Sequence, residues 1–306
     1  MVNKYHRIIN ILLALLVTFL WSTSFVIIKK GLPEIPPLTF AGLRYFLAFI
    51  FLLPFLLFTK RRKELRKITK QDVFKLIMLG IVFYSLTQGA QFLGLFLLPA
   101  VTVSLLLNFT PLAVVFMAMF TIKEFPQPAQ WTGIIIFMMG VLIFFYPYSN
   151  LEGNFIGFAV MAIGVLANAG SSVLGRHINL NRNLSSLTIT VISMGIGSVI
   201  ILAAGLSSEA FPDFNTNNII LVLWLAIINT AIAFTLWNYT LKTLKAVESS
   251  IINGTMLIQI AVLSYFLLNE EITIIKAAGI MVVACGALWV QTRSGKQLFF
   301  KKLTPL

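Results

Sequence analysis

Charge is what this chain has least of: only 11% of its 306 residues are Asp, Glu, Lys or Arg, against about 25% in a soluble globular protein. With 58% hydrophobic residues and a mean hydropathy of +0.93, it cannot cover its own exterior with polar groups, so lipid must meet part of it. Cysteine is nearly absent too. Cys285 stands alone inside an apolar run, which excludes an internal disulfide and a cysteine-built metal site. There are 10 acidic residues and two histidines, His6 and His177, all in loops or at the ends of apolar runs. A proton-driven antiporter working through a carboxylate at mid-membrane is therefore disfavoured. No metal and no other cofactor is expected.

The charge that is present is mostly basic, for a net +13. Such a balance suits nucleic acid when it lies along one soluble face. Here the basic residues cluster in short segments between long apolar runs, as orientation signals do in membranes, so no nucleic-acid partner is expected. A helix crossing the hydrocarbon core needs about 20 mostly apolar residues. Ten such runs follow one another: Ile8–Ile28, Leu38–Phe58, Val73–Leu97, Val101–Ile122 and Ala129–Tyr146, then Phe155–Gly175, Ser185–Leu206, Asn218–Leu241, Ala246–Leu268 and Ile272–Gln291. They are uniformly apolar, whereas barrel strands alternate and are about half as long. The fold class is therefore an all-α membrane protein. The N-terminal charges and the apolar run behind them imitate a signal peptide, but no small-residue cleavage motif follows, so this run is expected to stay as the first span.

If the N-terminus is cytoplasmic, the exceptions to a cytoplasmic Lys/Arg placement are Lys29, Lys30 and Lys276 outside and Arg44 within a span. That asymmetry predicts both termini inside, in a multi-pass protein of the inner (cytoplasmic) membrane.

A shift of 146 residues lays the second half of the chain on the first without a gap. Ala100-Val101 falls on Ala246-Val247, Ser104 on Ser250, Phe120 on Phe266, Glu124 on Glu270, Gly133 on Gly279 and Gly140 on Gly286. Each half holds five spans, an odd number, so the second enters the membrane from the opposite side. Inverted repeats of this kind let a central site open alternately to each face. The expected domains are residues 8–146 and 154–291, followed by a basic cytoplasmic tail at 292–306.

The first half carries Trp21-Ser22-Thr23-Ser24-Phe25, Lys30-Gly31-Leu32, Pro37-Leu38, Gly42-Leu43-Arg44-Tyr45, Leu107-Asn108-Phe109-Thr110-Pro111, Lys123-Glu124, Gly133 and Gly140. These residues resemble the EamA-type repeat of the drug/metabolite transporter superfamily, over nearly the whole chain. The second repeat is looser, with Ala167-Asn168 in place of Trp-Ser and Leu257 at the position of Pro111. The resemblance implies ten helices around a central cavity, with the fifth and tenth packed together at one side. It also implies transport of amino acids, other metabolites or drugs, often outward.

Polar side chains inside spans tend to face the bundle interior. Trp21 and Ser24 share one face of the first span, Gln88 and Gln91 one face of the third, and Asn108 stands within the fourth. The second half offers Asn168 and Ser172, then Trp237 and Asn238, and Asn253. Amides with indole rings suit a neutral or zwitterionic solute with an apolar part. The alternative for each is interhelical hydrogen bonding, worth about 0.6 kcal/mol on average. Pro111 kinks its helix and frees a carbonyl. Arg44 has two readings: a counter-charge for a substrate carboxylate, helped by Lys30, or snorkelling to the outer headgroups. Snorkelling is the expectation. The glycine pairs 133/140 and 279/286 read as a packing seam.

An enzyme is not expected. Gly170-Ser171-Ser172-Val173 with His177 is a loose serine-protease pattern on one helix, whereas a working dyad takes its base from another. Asp72 and Asp213 lie in loops, and no His-Glu-x-x-His is present. The expected function is a secondary transporter exporting a small metabolite, an amino acid or similar, by alternating access. A multidrug or other efflux carrier is the alternative, followed by a channel. The expected partners are the small-molecule solute and membrane lipid, as a monomer or a homodimer.

Overall fold

Prolines and polar caps mark where the helices begin. Pro37 and Pro128 sit in first turns, where a missing N–H has no partner to lose. Thr69, Ser185 and Asn215 each accept from the backbone N–H three residues on, satisfying a donor the helix leaves over. The computed structural model describes residues 4–58, 62–98, 100–146, 155–180, 184–210, 212, 215–268 and 272–300. Its long helices are α1 (Lys4–Gly31), α2 (Pro37–Leu57), α3 (Lys70–Leu97), α4 (Ala100–Leu107 and Thr110–Thr121), α5 (Pro128–Phe144), α6 (Phe155–Leu180), α7 (Ser186–Ser208), α8 (Thr216–Thr240), α9 (Ala246–Gly254 and Met256–Leu268) and α10 (Ile274–Phe300).

Among the described residues, nine of these are long and apolar enough to cross a bilayer. The remaining one, α5, has 17 residues, at the short end of the roughly 17–25 that span a membrane. The outside is apolar: Leu12, Phe55, Phe155 and Ile274 are exposed, and so are Phe120 and Phe266, which stand one repeat apart. This surface needs lipid. The protein is an all-α membrane protein of ten spans in two five-helix repeats. α10 continues to Phe300, beyond the run that ends at Gln291.

The two repeats interlock. α1 packs on α8 and α9 of the second half, and α6 packs on α3 and α4 of the first. α2 lies along α7, and α5 along α10. The last contact is the glycine seam. A Cβ on Gly140 would stand 2.5 Å from the Val283 nitrogen, and one on Gly286 would stand 2.5 Å from the Phe137 nitrogen. Gly133 and Gly279 are similarly close to Val290 and Phe144. Backbone meets backbone there, as small residues permit in a membrane.

Two features go beyond the sequence reading. Gly80–Thr87 in α3 and Ile227–Ile232 in α8 are π-helical, and the 146-residue shift superimposes them to within one residue at each end. In the middle of α4, Asn108 and Phe109 interrupt the helix, and Thr255 interrupts α9 at the equivalent place. Pro111 accounts for the first break, since it has no N–H for the Leu107 carbonyl. The second has no proline, since Leu257 stands at the position equivalent to Pro111. Symmetric interruptions of this kind occur where irregular backbone borders a cavity.

Candidate functional site

Both breaks face one central cavity. Measured as the space open to the centre of a water molecule it is about 80 Å³, room for about six waters. Its lining comes from α1, α2, α3, α4, α6, α8 and α9, and thus from both repeats.

Trp21, Ser24, Gln88, Gln91, Asn108, Asn168 and Asn253 all line this space. From α1, the Trp21 ring packs on Phe234 and Trp237 with centroids 4.9 and 5.0 Å away, and its Nε1 has no partner. From α3, Gln88 Oε1 accepts from the Tyr45 hydroxyl at 2.6 Å. Asn168 Nδ2 donates to Thr110 Oγ1 at 3.4 Å, tying α6 to the second segment of α4. Aromatic rings of Phe25, Phe83 and Phe234 complete an apolar wall.

Three expected residues lie outside the lining, each for a geometric reason. Trp237 is 3% exposed and stands behind Trp21 as a support. Asn238 points from α8 toward α7 and α6, where its Nδ2 donates to Thr190 Oγ1 and its Oδ1 accepts from Asn179. Ser172 donates to the Asn168 carbonyl at 2.9 Å, within its own helix. Ser171 does the same at 2.8 Å, so neither hydroxyl turns toward His177. Elsewhere, Asn229 donates to the Leu20 carbonyl and to Thr23 Oγ1, an interhelical bond of the kind the alternative reading described.

Arg44 departs most from expectation. It does not snorkel: only 2% of it is exposed, and its head turns inward to the cavity lining. Nε donates to Thr230 Oγ1 at 2.6 Å, Nη1 to Ser24 Oγ at 3.2 Å and Nη2 to the Asn229 carbonyl at 3.2 Å. The guanidinium also lies 5.3 Å from the Tyr45 ring centroid, a cation–π distance. All these partners are neutral. Position seven residues after Pro37 suggested an edge, but α8 crosses α2 there and supplies acceptors that α2 alone cannot reveal. The Lys30 side chain lies outside the described residues.

Several lining residues escaped the sequence reading: Tyr45, Phe83, Thr87, Ser104, Ser250 and Phe234. A signal existed for two of them. Ser104 is four residues before Asn108, hence on its face, and Ser250 is its repeat mate.

On the face that carries the α1 N-terminus, polar ties hold the halves together. Glu124 accepts from Arg176 Nε at 3.1 Å and from the Ala246 backbone N–H at 3.1 Å, joining the end of α4 to α6 and to the start of α9. Arg7 pairs with buried Glu248 at 3.3 Å. Beneath these, Val114, Ala118, Ala169, Val173 and Ala246 form a small apolar cluster. Of the other segments of the broken helices, Ala100–Leu107 lies on α3 and α6, and Met256–Leu268 on α1 and α10.

Gln91 and Trp237 separate lining from support. Gln91→Ala should weaken solute binding by about tenfold with little change in unfolding temperature. Trp237→Ala should destabilise the fold by about 3–5 kcal/mol and affect binding through Trp21. Paired melting and binding curves of the two variants check this.

Comparison with known proteins agrees with this architecture. The EamA-like transporter family model matches residues 8–146 and again 155–292. The chain is 24% identical over 284 residues to the uncharacterized transporter YoaV of Bacillus subtilis, covering 88% of this chain and 92% of that protein. It is 25% identical to an S-adenosylmethionine/S-adenosylhomocysteine transporter of Chlamydia muridarum (94% and 93% covered). It is 26% identical to a probable amino-acid metabolite efflux pump of Escherichia coli (90% and 92%). A solved crystal structure superimposes with TM-score 0.78 at 16% identity, covering 96% of this chain and 99% of that one, a likeness of fold. Matched twice along its length by one family's model, the chain belongs to the EamA-like transporters of the drug/metabolite transporter superfamily and is a membrane transporter of a small-molecule solute.

Proposed function

We propose that this chain is a secondary carrier that moves a small metabolite, an amino acid or a similar solute, outward across the inner membrane by alternating access, with both termini cytoplasmic. The observation that carries the reading is the central cavity, which takes its walls from both repeats and lies at the symmetric breaks of α4 and α9. A buried guanidinium in that cavity, bonded to neutral groups alone, favours a solute with an anionic group such as a carboxylate. The amino-acid metabolite pump among the relatives supports the solute class.

The repeat supplies the mechanism. Here the N-terminal face is closed by Thr110–Thr121 against Ala246–Gly254, under the Glu124 ties. Exchange of conformations between the repeats would open that face and close Ala100–Leu107 against Met256–Leu268 on the other. Glu124→Gln removes the charge from the tie to Arg176. It should shift the resting population toward the open N-terminal face by about tenfold. Labelling of a Ser250→Cys probe from that face reads the shift; labelling and transport both unchanged would remove Glu124 from the gate.

The carrier reading is tested by counterflow. Proteoliposomes preloaded with an unlabelled amino-acid mixture should accumulate labelled amino acid transiently and saturably. A linear, non-saturating flux without counterflow would mark a channel and sink the proposal.

A further inference from the structure

The two helix breaks leave side-chain oxygens in the cavity lining that no hydrogen-bond donor meets. Asn108 follows the end of Ala100–Leu107, and Asn253 is at the end of Ala246–Gly254; both line the cavity. Asn108 is 5% exposed. Its Nδ2 donates to the Ser104 carbonyl at 2.8 Å, which fixes the sense of the amide and leaves Oδ1 buried without a partner. Asn253 Oδ1 is buried and unpartnered as well. Leu107, also in the lining, lies at the same break, where Pro111 has no N–H to offer its carbonyl.

We infer that this is a subsite for a protonated amine, the ammonium group of the transported solute. A primary ammonium carries three N–H donors and no acceptor, the complement of these oxygens. A hard metal cation asks for about six oxygens, usually with carboxylates, and the described residues hold no acidic or histidine cluster for one. The same cavity is lined by donors too, the Arg44 guanidinium and the unpartnered Trp21 Nε1. The cavity thus takes unmet oxygens from the breaks and donors from α1 and α2, and a zwitterion can engage both. Transport of the amine rests on the carrier proposal; its binding at this subsite does not.

The test uses the full chain in nanodiscs and three congeners: phenylalanine, phenethylamine and 3-phenylpropionate. Asn253→Leu should weaken phenylalanine and phenethylamine by about tenfold. It should leave 3-phenylpropionate within about twofold. Asn108→Asp keeps the shape, gives up the donation to the Ser104 carbonyl and adds a carboxylate at the subsite. It should tighten phenethylamine by about tenfold and weaken 3-phenylpropionate. Because that variant predicts a gain, misfolding cannot imitate it. Equal weakening of all three congeners by both variants would overturn the subsite. So would a Na⁺ requirement for 3-phenylpropionate binding that Asn108→Asp alters, which would make the breaks an ion site. Failure of both amines to bind the wild-type protein while counterflow of another solute persists would overturn the subsite and leave the carrier standing. Amine binding without any counterflow would do the reverse.

Discussion

Arg44→Gln should cut saturable transport by on the order of a hundredfold, the consequence of losing about 2–5 kcal/mol when one partner of a buried charge contact is removed. The side chain is the charged group of the cavity lining, and its three bonds to Ser24, Thr230 and the Asn229 carbonyl hold it in place. Glutamine keeps a donor but neither the charge nor the fork. Arg44→Lys keeps the charge alone, so it should restore part of the transport with a raised half-saturation concentration. Uptake kinetics of the two variants, beside melting curves, decide it. If both variants transport as the wild type does, Arg44 is a structural tie between α1, α2 and α8 and no more.

The second large effect is at the seam. Gly140→Ala should destabilise the protein by about 1–3 kcal/mol, the usual range for overpacking. In an exposed helix the same change would stabilise by about 1 kcal/mol. The added Cβ would stand 2.5 Å from the Val283 nitrogen, and backbone cannot rotate away as a side chain can. Gly286→Ala meets the Phe137 nitrogen at the same distance, and the double variant should separate α5 from α10. Gly170→Ala is the control, since its Cβ would meet the end of Val82 at 3.8 Å, ordinary contact. Unfolding temperatures in detergent order the three. A Gly140→Ala protein as stable as Gly170→Ala would mean that the two helices do not approach this closely.

What could be read in the amino acids was the pattern that lipid imposes. Runs of apolar residues gave all ten spans, because hydrocarbon penalises polar side chains wherever a helix crosses it. The offset of 146 was visible through Glu124, Gly133 and Gly140, residues whose neighbours tolerate little change. The seam was visible because two glycines seven apart must share a helix face. The polar lining was partly visible, since Gln88, Gln91 and Asn108 have no other favourable direction to point. Trp237 and Asn238 failed this logic: α8 is surrounded by α1 and α7, so its polar faces find partners away from the cavity. Arg44 failed for a related reason, as its acceptors come from Asn229 and Thr230, distant in sequence and brought near by a π-helical segment. Helix geometry of that kind leaves no mark in composition. The break at Thr255 was hidden too, because Leu257 replaces the proline that announces its partner in α4.

Ser104 and Ser250 occupy matching places in the two repeats and both line the cavity. Each can be changed to cysteine once Cys285, which faces outward, is replaced by serine. Membrane-impermeant maleimide applied to right-side-out and to inverted vesicles then asks whether one chamber has two doors. Alternating access predicts that each cysteine reacts from both sides, and that saturating solute alters the two rates in opposite directions. Reaction of both cysteines from a single face, whatever the solute concentration, would contradict it.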